Sequence, residues 1–146
     1  MIGDLIDEES RGILPRTLKH AIAAKPQEVQ IQLQMMEIYN EDLRDLFLLQ
    51  EQPTKANKIQ IRNDVKHGTC VTGLESKPIS TYPEAIECIQ NGMRSRTVSE
   101  TKMNKSSSRS HCIVFILLRD SSSNQGEFKS AKASIATSPH CPPFSL

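Results

Sequence analysis

The sequence predicts an α/β fold, with a mixed central sheet flanked by helices on both faces. Residues 29–35 alternate between apolar and glutamine side chains, which is typical of a strand with one buried face. Residues 112–118 are continuously apolar and partly β-branched, as in a strand that is covered on both faces. Thr81 and Glu84 have the spacing of a capping box, and apolar residues at helical spacing follow them.

The first element is a helix predicted over residues 14–24. Leu14 and Leu18 begin an apolar face, and Pro15 suits a first helical turn because its missing N–H has no partner there in any case. Pro26 predicts the end of this helix. The alternating strand then begins within a few residues.

The segment after that strand carries the signals of a second, short helix. Asn40 can cap a helix, and Glu41 and Asp42 bring negative charge to the first turn, where it is favourable. Apolar residues within 43–47 supply a buried stripe. A strand followed at once by a helix is therefore expected here.

Residues 59–75 read as two short strands joined by a turn near His67 and Gly68, and a hairpin is the simplest interpretation. The helix that begins at the capping box of Thr81 is predicted to end at Asn91-Gly92, since Gly commonly follows a last helical turn.

Composition limits the class of protein. A chain of 146 residues has room for one domain or a piece of one, and a net charge of +1 creates no field that would attract nucleic acid or an acidic membrane. The four cysteines form no C-x-x-C pair, so we expect reduced thiols and no zinc site. The chain starts without a signal-peptide pattern, and its longest apolar run is well short of the roughly 20 residues that span a bilayer. A cytoplasmic protein is expected.

Residues 103–111, "MNKSSSRSH", crowd hydroxyls, an arginine and a histidine against the start of the apolar strand. A solvated loop or a phosphorylation site is the simplest interpretation. Hydroxyls at a strand end could instead donate to phosphate oxygens or ligate Mg²⁺, with the arginine contacting phosphate or an acidic partner. A catalytic pair between a serine and His111 is disfavoured, because no nearby carboxylate is placed to orient the imidazole.

The same segment resembles the switch I signature of kinesin motor domains, N-x-x-S-S-R-S-H. Upstream, "GILPRTLKH", "MEIYNEDLRDLF" and "EAIECIQNGMRSRTVSETKMN" are similar to other segments of that family and occur in the same order. The resemblance covers residues 1–132 and leaves 133–146 as a divergent tail that we expect to be poorly ordered. The residues that match the signature are Asn104, Ser107, Ser108, Arg109, Ser110 and His111.

The resemblance implies a microtubule motor driven by ATP and Mg²⁺, in which this segment senses the γ-phosphate. Ser107 would contact that phosphate, Ser108 would help to hold Mg²⁺, and Arg109 would bridge to a glutamate of switch II. Ser107 and Arg109 are thus the implied catalytic residues. Asn104 would brace the loop, and Arg96 matches a family arginine near the nucleotide pocket.

The family resemblance further implies a partner, tubulin in the microtubule, a cytoskeletal location and dimerisation of the parent protein through a coiled coil outside this chain. Neither nucleic acid nor a membrane is expected as a partner.

Two family sequences do not occur in this chain: the phosphate-binding G-x-x-x-x-G-K-[ST] loop and the switch II sequence "DLAGSE". We therefore expect a central fragment of a motor domain that binds ATP weakly, is inactive alone and is prone to aggregate. One alternative is a truncated, non-catalytic kinesin-like protein that binds tubulin or another partner. Another is a plain α/β domain whose serine loop is regulated by phosphorylation.

Overall fold

The computed structural model describes residues 2–3, 7, 9–48, 59–64, 68–102, 110–120 and 130–137. Two helices and seven strands lie within these ranges. In chain order they are α1 (Ile13–Ala24), β1 (Val29–Tyr39), β2 (Asp42–Asp45), β3 (Gln60–Asp64), β4 (Gly68–Thr72), β5 (Lys77–Ile79), α2 (Tyr82–Lys102), β6 (Ser110–Asp120) and β7 (Ser130–Thr137).

The main sheet is built around β1 and β6. Its strand order is β2-β1-β6-β7, and β5 also pairs with β1. β1 and β6 are antiparallel over their full length, from Val29 opposite Asp120 to Tyr39 opposite Ser110. Every other pairing among the described strands is antiparallel as well. The expected α/β class is confirmed, while parallel pairing within the sheet and helices on its second face stay predictions.

One face of this sheet carries the core. The odd-numbered residues of β1 from Ile31 to Met35 point to this face, as the alternation predicted. Both described helices pack on it, since their buried residues join the same cluster. Removing such side chains from water stabilises the fold by about 1.5–3 kcal/mol for each large one. The cluster consists of Ile2, Leu14, Leu18, Ile31, Leu33, Met35, Leu46, Ile79, Ala85, Ile89, Cys112, Val114 and Ile116.

The predicted first helix is confirmed as α1. Leu14, Pro15 and Leu18 are its buried residues, and Pro15 occupies the first turn. Lys25 leaves the helical conformation while its backbone N–H still bonds to the carbonyl of Ala21 at 3.0 Å. A residue that precedes proline is disfavoured in the helical region, which explains why the helix ends at this point.

The helix predicted from Asn40 is wrong. β1 runs on to Tyr39 and turns directly into β2, with Tyr39 opposite Asp42. Asn40 and Glu41 form the two-residue turn, with φ of 48° and 72°. Positive φ at both positions is the type I′ geometry, which matches the twist of a hairpin. Asn is common in such turns as well as at helix caps, so the residue that suggested a helix also fits the hairpin.

The capping box is confirmed at the start of α2. Glu84 accepts backbone N–H bonds from Ser80 and Thr81 at 2.9 and 3.2 Å, and its own N–H donates to Thr81 Oγ1 at 3.4 Å. The predicted end at Asn91-Gly92 is wrong, since α2 continues to Lys102. Gly92 lies where α2 packs on the sheet, so its missing side chain permits a close contact instead of ending the helix.

The remaining strands bear on two further predictions. The hairpin predicted within residues 59–75 is confirmed as β3 paired with β4, although its turn at residues 65–67 lies outside the described ranges. The poor order expected of the tail over residues 133–146 does not hold for its first residues, which belong to β7 (Ser130–Thr137) along β6. Residues 138–146 lie outside the description, and the domain boundary at 132 stays a prediction.

Candidate functional site

Three polar side chains meet in the core where β1, β6 and α2 converge. Arg96 Nε lies 3.3 Å from Glu37 Oε1, and Arg96 Nη2 donates to Ser110 Oγ at 3.3 Å. The hydroxyl of Ser110 closes the triangle by donating a hydrogen bond to Glu37 Oε1. Glu37 is 1% exposed and Ser110 is 0% exposed, so all three contacts are shielded from water. We call these three residues the Glu37 cluster.

The sequence places each member by its position along an element. Glu37 continues the series of odd-numbered residues of β1 that face the helices, and Cys112 of β6 lies opposite it. Ser110 is two residues before Cys112 and therefore points to the same side of the sheet. Arg96 follows Ala85 and Ile89 along the buried side of α2, because spacings of three, four and seven residues keep side chains on one helical face.

The cluster satisfies a group that would otherwise be costly to bury. An isolated carboxylate in a protein interior costs several kcal/mol unless it is paired and hydrogen-bonded. Glu37 meets this requirement with one guanidinium and one hydroxyl. The exposed fraction of the Arg96 side chain is 13%, so the ion pair is mostly removed from solvent.

The thiol of Cys112, beside the Glu37 cluster, has low reactivity. Burial raises the pKa of Cys112 to about 12, with Arg96 lowering and Glu37 raising that value to a smaller extent. Burial likewise raises the pKa of Cys88 to about 11. Both thiols therefore stay protonated at neutral pH, which makes them poor nucleophiles and poor metal ligands.

Most of the predicted site residues cannot be placed against the cluster. Asn104, Ser107, Ser108 and Arg109 lie outside the described residues. The segment 103–109 that contains them is bounded by the last residue of α2 and by Ser110, the first residue of β6. Among the predicted residues the structure therefore describes Arg96 alone, and it joins Arg96 to Glu37 and Ser110.

Sequence reasoning assigned no role to Glu37. The signal was present, because an acidic residue stands in the series of apolar, core-facing positions that begins at Val29. Ser110 was matched only as part of a motif. His111 follows it on β6 and is exposed, with its side chain on the opposite side of the sheet from Ser110, so these two residues form no catalytic pair.

The described residues contain neither a metal-binding group of side chains nor a membrane-spanning helix. No group of three or more His, Cys, Asp or Glu residues is arranged to hold a metal ion within the part of the chain that the structure describes. Neither of the two described helices is long and apolar enough to cross a membrane.

Comparison with known proteins adds the family. The kinesin motor domain family pattern matches residues 1–137. Chromosome-associated kinesin KIF4 of Xenopus laevis is 39% identical over 114 residues, which cover 75% of this chain and 9% of that protein. Kinesin-like protein KIN-1 of Arabidopsis thaliana is 35% identical over 131 residues, covering 86% of this chain and 27% of that protein.

A solved structure gives the same answer for the fold. It belongs to a fast kinesin, and it superposes with a TM-score of 0.72 and 29% identity. The match covers 93% of this chain and 39% of that one, so this chain spans well under half the length of the motors it resembles. Because the family pattern spans residues 1–137 and the fold agrees with it, the chain belongs to the kinesin motor domain family.

Proposed function

We propose that this chain is the part of an ATP-dependent microtubule motor that senses the γ-phosphate of the nucleotide and its Mg²⁺. The observation that carries the proposal is the position of the serine segment. Residues 103–109 connect the end of α2 to the start of β6 within the family match. The fast kinesin that this chain resembles has been described for its ATPase mechanism and its interactions with microtubules.

The donor set of this segment fits a phosphate with its magnesium ion. Serine hydroxyls can donate to phosphate oxygens or ligate Mg²⁺ as hard oxygen donors, and a guanidinium forms charge-assisted bonds to phosphate or carboxylate. We assign the γ-phosphate contact to Ser107 and the Mg²⁺ contact to Ser108. Arg109 would bridge to a glutamate of switch II, and Asn104 would brace the segment. ATP–Mg²⁺ would supply the phosphate whose presence or loss is sensed.

We keep Arg96 as a proposed nucleotide-binding residue, supported by its hydrogen bond to Ser110, the residue that directly follows the serine segment. Hydrolysis itself is proposed for the whole motor, in which Ser107 and Arg109 take part. Microtubules are the proposed partner, the cytoskeleton the proposed location, and dimerisation through a coiled coil outside this chain the proposed assembly.

A second candidate is a non-catalytic kinesin-like protein that binds tubulin or another partner without hydrolysing ATP. It applies to these 146 residues taken alone, which contain no G-x-x-x-x-G-K-[ST] loop. The amides and lysine of such a loop supply much of the phosphate affinity in related nucleotidases. Weak nucleotide binding is therefore expected of these 146 residues alone.

Titration of the 146-residue chain with ATP, with and without Mg²⁺, tests the first candidate. Ser108→Ala should weaken the Mg²⁺-dependent part of binding by about tenfold or more, because it removes an oxygen bonded to a charged partner. Ser106→Ala is the matched control, since Ser106 occupies one of the unspecified positions of the motif.

Equal affinities for the two variants would contradict the assignment of Ser108. Sedimentation of the chain with microtubules separates the two candidates. Microtubule binding without any ATP binding would support the non-catalytic alternative.

A further inference from the structure

We propose that Glu37, Arg96 and Ser110 are positioning residues, whose buried cluster fixes the two chain ends between which residues 103–109 run. The inference rests on the proposed function for its purpose, since it specifies how the phosphate-sensing hydroxyls would be held in place. It assigns a role to Glu37 and Ser110 in addition to the contacts proposed for the serine segment.

The Glu37 cluster joins the last two turns of α2 to the first residue of β6. Ser110 directly follows residue 109, and it is fully buried against Glu37. Arg96 lies within the last two turns of α2, which ends at Lys102. Because Arg96 and Ser110 both bond to the same oxygen of Glu37, the cluster links the end of α2 to the start of β6.

The carboxylate of Glu37, which accepts both bonds, is held rigidly. Glu37 stands in the middle of the sheet, with Arg44 of β2 opposite it on one side and Cys112 of β6 on the other. Backbone pairing on both sides fixes its Cα, and burial leaves its carboxylate little room to move. A carboxylate held in this way provides a fixed reference point for the two groups that bond to it.

Stability alone does not explain why the cluster is charged. Apolar residues of similar volume in place of a buried ion pair are often neutral or stabilising, so stability alone gives little reason for a charged cluster here. The hydrogen bonds of the Arg96 guanidinium and the Ser110 hydroxyl are directional, so they fix how these groups are oriented relative to Glu37. Apolar contacts do not impose such directions. Orientation of α2 relative to β6 is the property that this cluster provides and an apolar core would lack.

Amide hydrogen exchange of the full 146-residue chain tests the proposal without any nucleotide. The triple variant Glu37→Leu, Arg96→Met and Ser110→Ala removes the three contacting polar groups together, so none of the three keeps a polar side chain without its partner in the cluster. We expect exchange of residues 103–109 to become about tenfold faster while the amides of β1 keep their protection.

An exposed ion pair provides the matched control. Lys77 and Glu75 lie 3.4 Å apart with side chains 45% and 44% exposed. Glu75→Leu with Lys77→Met makes the same kinds of change and should leave exchange of residues 103–109 unaltered. Unaltered exchange of 103–109 in the cluster variant would overturn the proposal, and so would a lack of protection of this segment in the unchanged chain.

If the triple variant does not fold, single substitutions of Ser110 provide the same test. Ser110→Ala removes two hydrogen bonds, the one donated to Glu37 and the one accepted from Arg96, and retains the ion pair. It should accelerate exchange of 103–109 about threefold or more. Ser110→Thr keeps the hydroxyl, so exchange should be slower than in Ser110→Ala even though Thr adds a methyl group at a buried position. A purely steric role of Ser110 would make Thr the worse replacement. Equal exchange in Ser110→Ala and the unchanged chain would count against the cluster.

The outcome is separable from that of the proposed function. Faster exchange of 103–109 in the cluster variants, together with no effect of ATP–Mg²⁺ on the unchanged chain, would support the positioning role and contradict the nucleotide role. Normal exchange in the variants, together with the expected loss of binding in Ser108→Ala, would do the reverse.

Discussion

Gly92 of α2 lies directly against Met35 of β1. A Cβ atom built on Gly92 would overlap the sulfur of Met35 and would lie 3.2 Å from Phe47 Cε1. Met35 is fully buried in the main cluster, so its side chain has little room to move away. The absence of a side chain at Gly92 therefore sets how closely α2 approaches the sheet.

Gly92→Ala should destabilise the chain. Alanine gains about 1 kcal/mol over glycine in a helix interior, whereas an extra methyl group in a tight core costs about 1–3 kcal/mol. We expect the cost to exceed the gain, with a net loss on the order of 1 kcal/mol in the free energy of unfolding. Denaturation of both proteins in urea measures this difference.

The neighbouring residue supplies the control for Gly92. Asn91 is exposed on the same helix, so Asn91→Ala changes helix propensity without entering the core. It should stabilise the chain by a few tenths of a kcal/mol, roughly the difference between the two residues on propensity scales. A similar gain in Gly92→Ala would show that the contact with Met35 has room for a methyl group.

The turn between β1 and β2 allows a stabilising change. Glu41 has a φ of 72°, a region in which a residue with a side chain is strained and glycine is not. Glu41→Gly would create the Asn-Gly pair that type I′ turns favour. We expect a gain of about 0.5–1 kcal/mol in the free energy of unfolding, measured by thermal or urea denaturation.

Asp42→Gly is the control for the turn. Asp42 is exposed and is the first residue of β2, where glycine brings only its loss of conformational freedom on folding. A loss of about 0.5–1 kcal/mol is expected. If Glu41→Gly destabilised the chain as much as Asp42→Gly, Glu41 would have to make a favourable contact that outweighs the strain of its positive φ.

Patterns local in sequence predicted the elements whose stability is also local. The alternation along β1 and the capping box at Thr81 each depend on neighbours within a few residues, and the structure confirms both. The turn at Asn40 was missed because capping residues and turn residues are chemically alike. The sequence did not predict the length of α2, because the glycine at position 92 is explained by its close contact with Met35, a residue of another element.

The Glu37 cluster illustrates the same limit at longer range. Glu37 and Arg96 are 59 residues apart in the chain, and Ser110 lies a further 14 residues beyond Arg96. No periodic pattern connects such positions, since only the pairing of β1 with β6 and the placement of α2 bring them together. The family motif identified the segment between Arg96 and Ser110, but the carboxylate that joins its two ends required the structure.

The start of α2 contributes a pH-dependent term to stability. Backbone N–H bonds from Ser80 and then Thr81 hold the pKa of Glu84 below its usual range. Since the folded pKa is below the unfolded one, the contribution of this carboxylate is fully present above the unfolded value. It is lost as the pH falls through the folded value, when protonation removes the charge that accepts these bonds.

Glu84→Gln should therefore make the free energy of unfolding depend less on pH in the acid range. In the unchanged chain, the free energy of unfolding should fall more steeply than in the variant once the pH drops below the ordinary pKa of glutamate, while the two curves run parallel above it. Urea midpoints measured at several pH values give this comparison. Glu87→Gln, on the same helix but outside the capping box, removes one carboxylate in the same way and serves as the control. An equal change in slope for both variants would mean that general charge, and not the bonds at Ser80 and Thr81, sets the pH dependence.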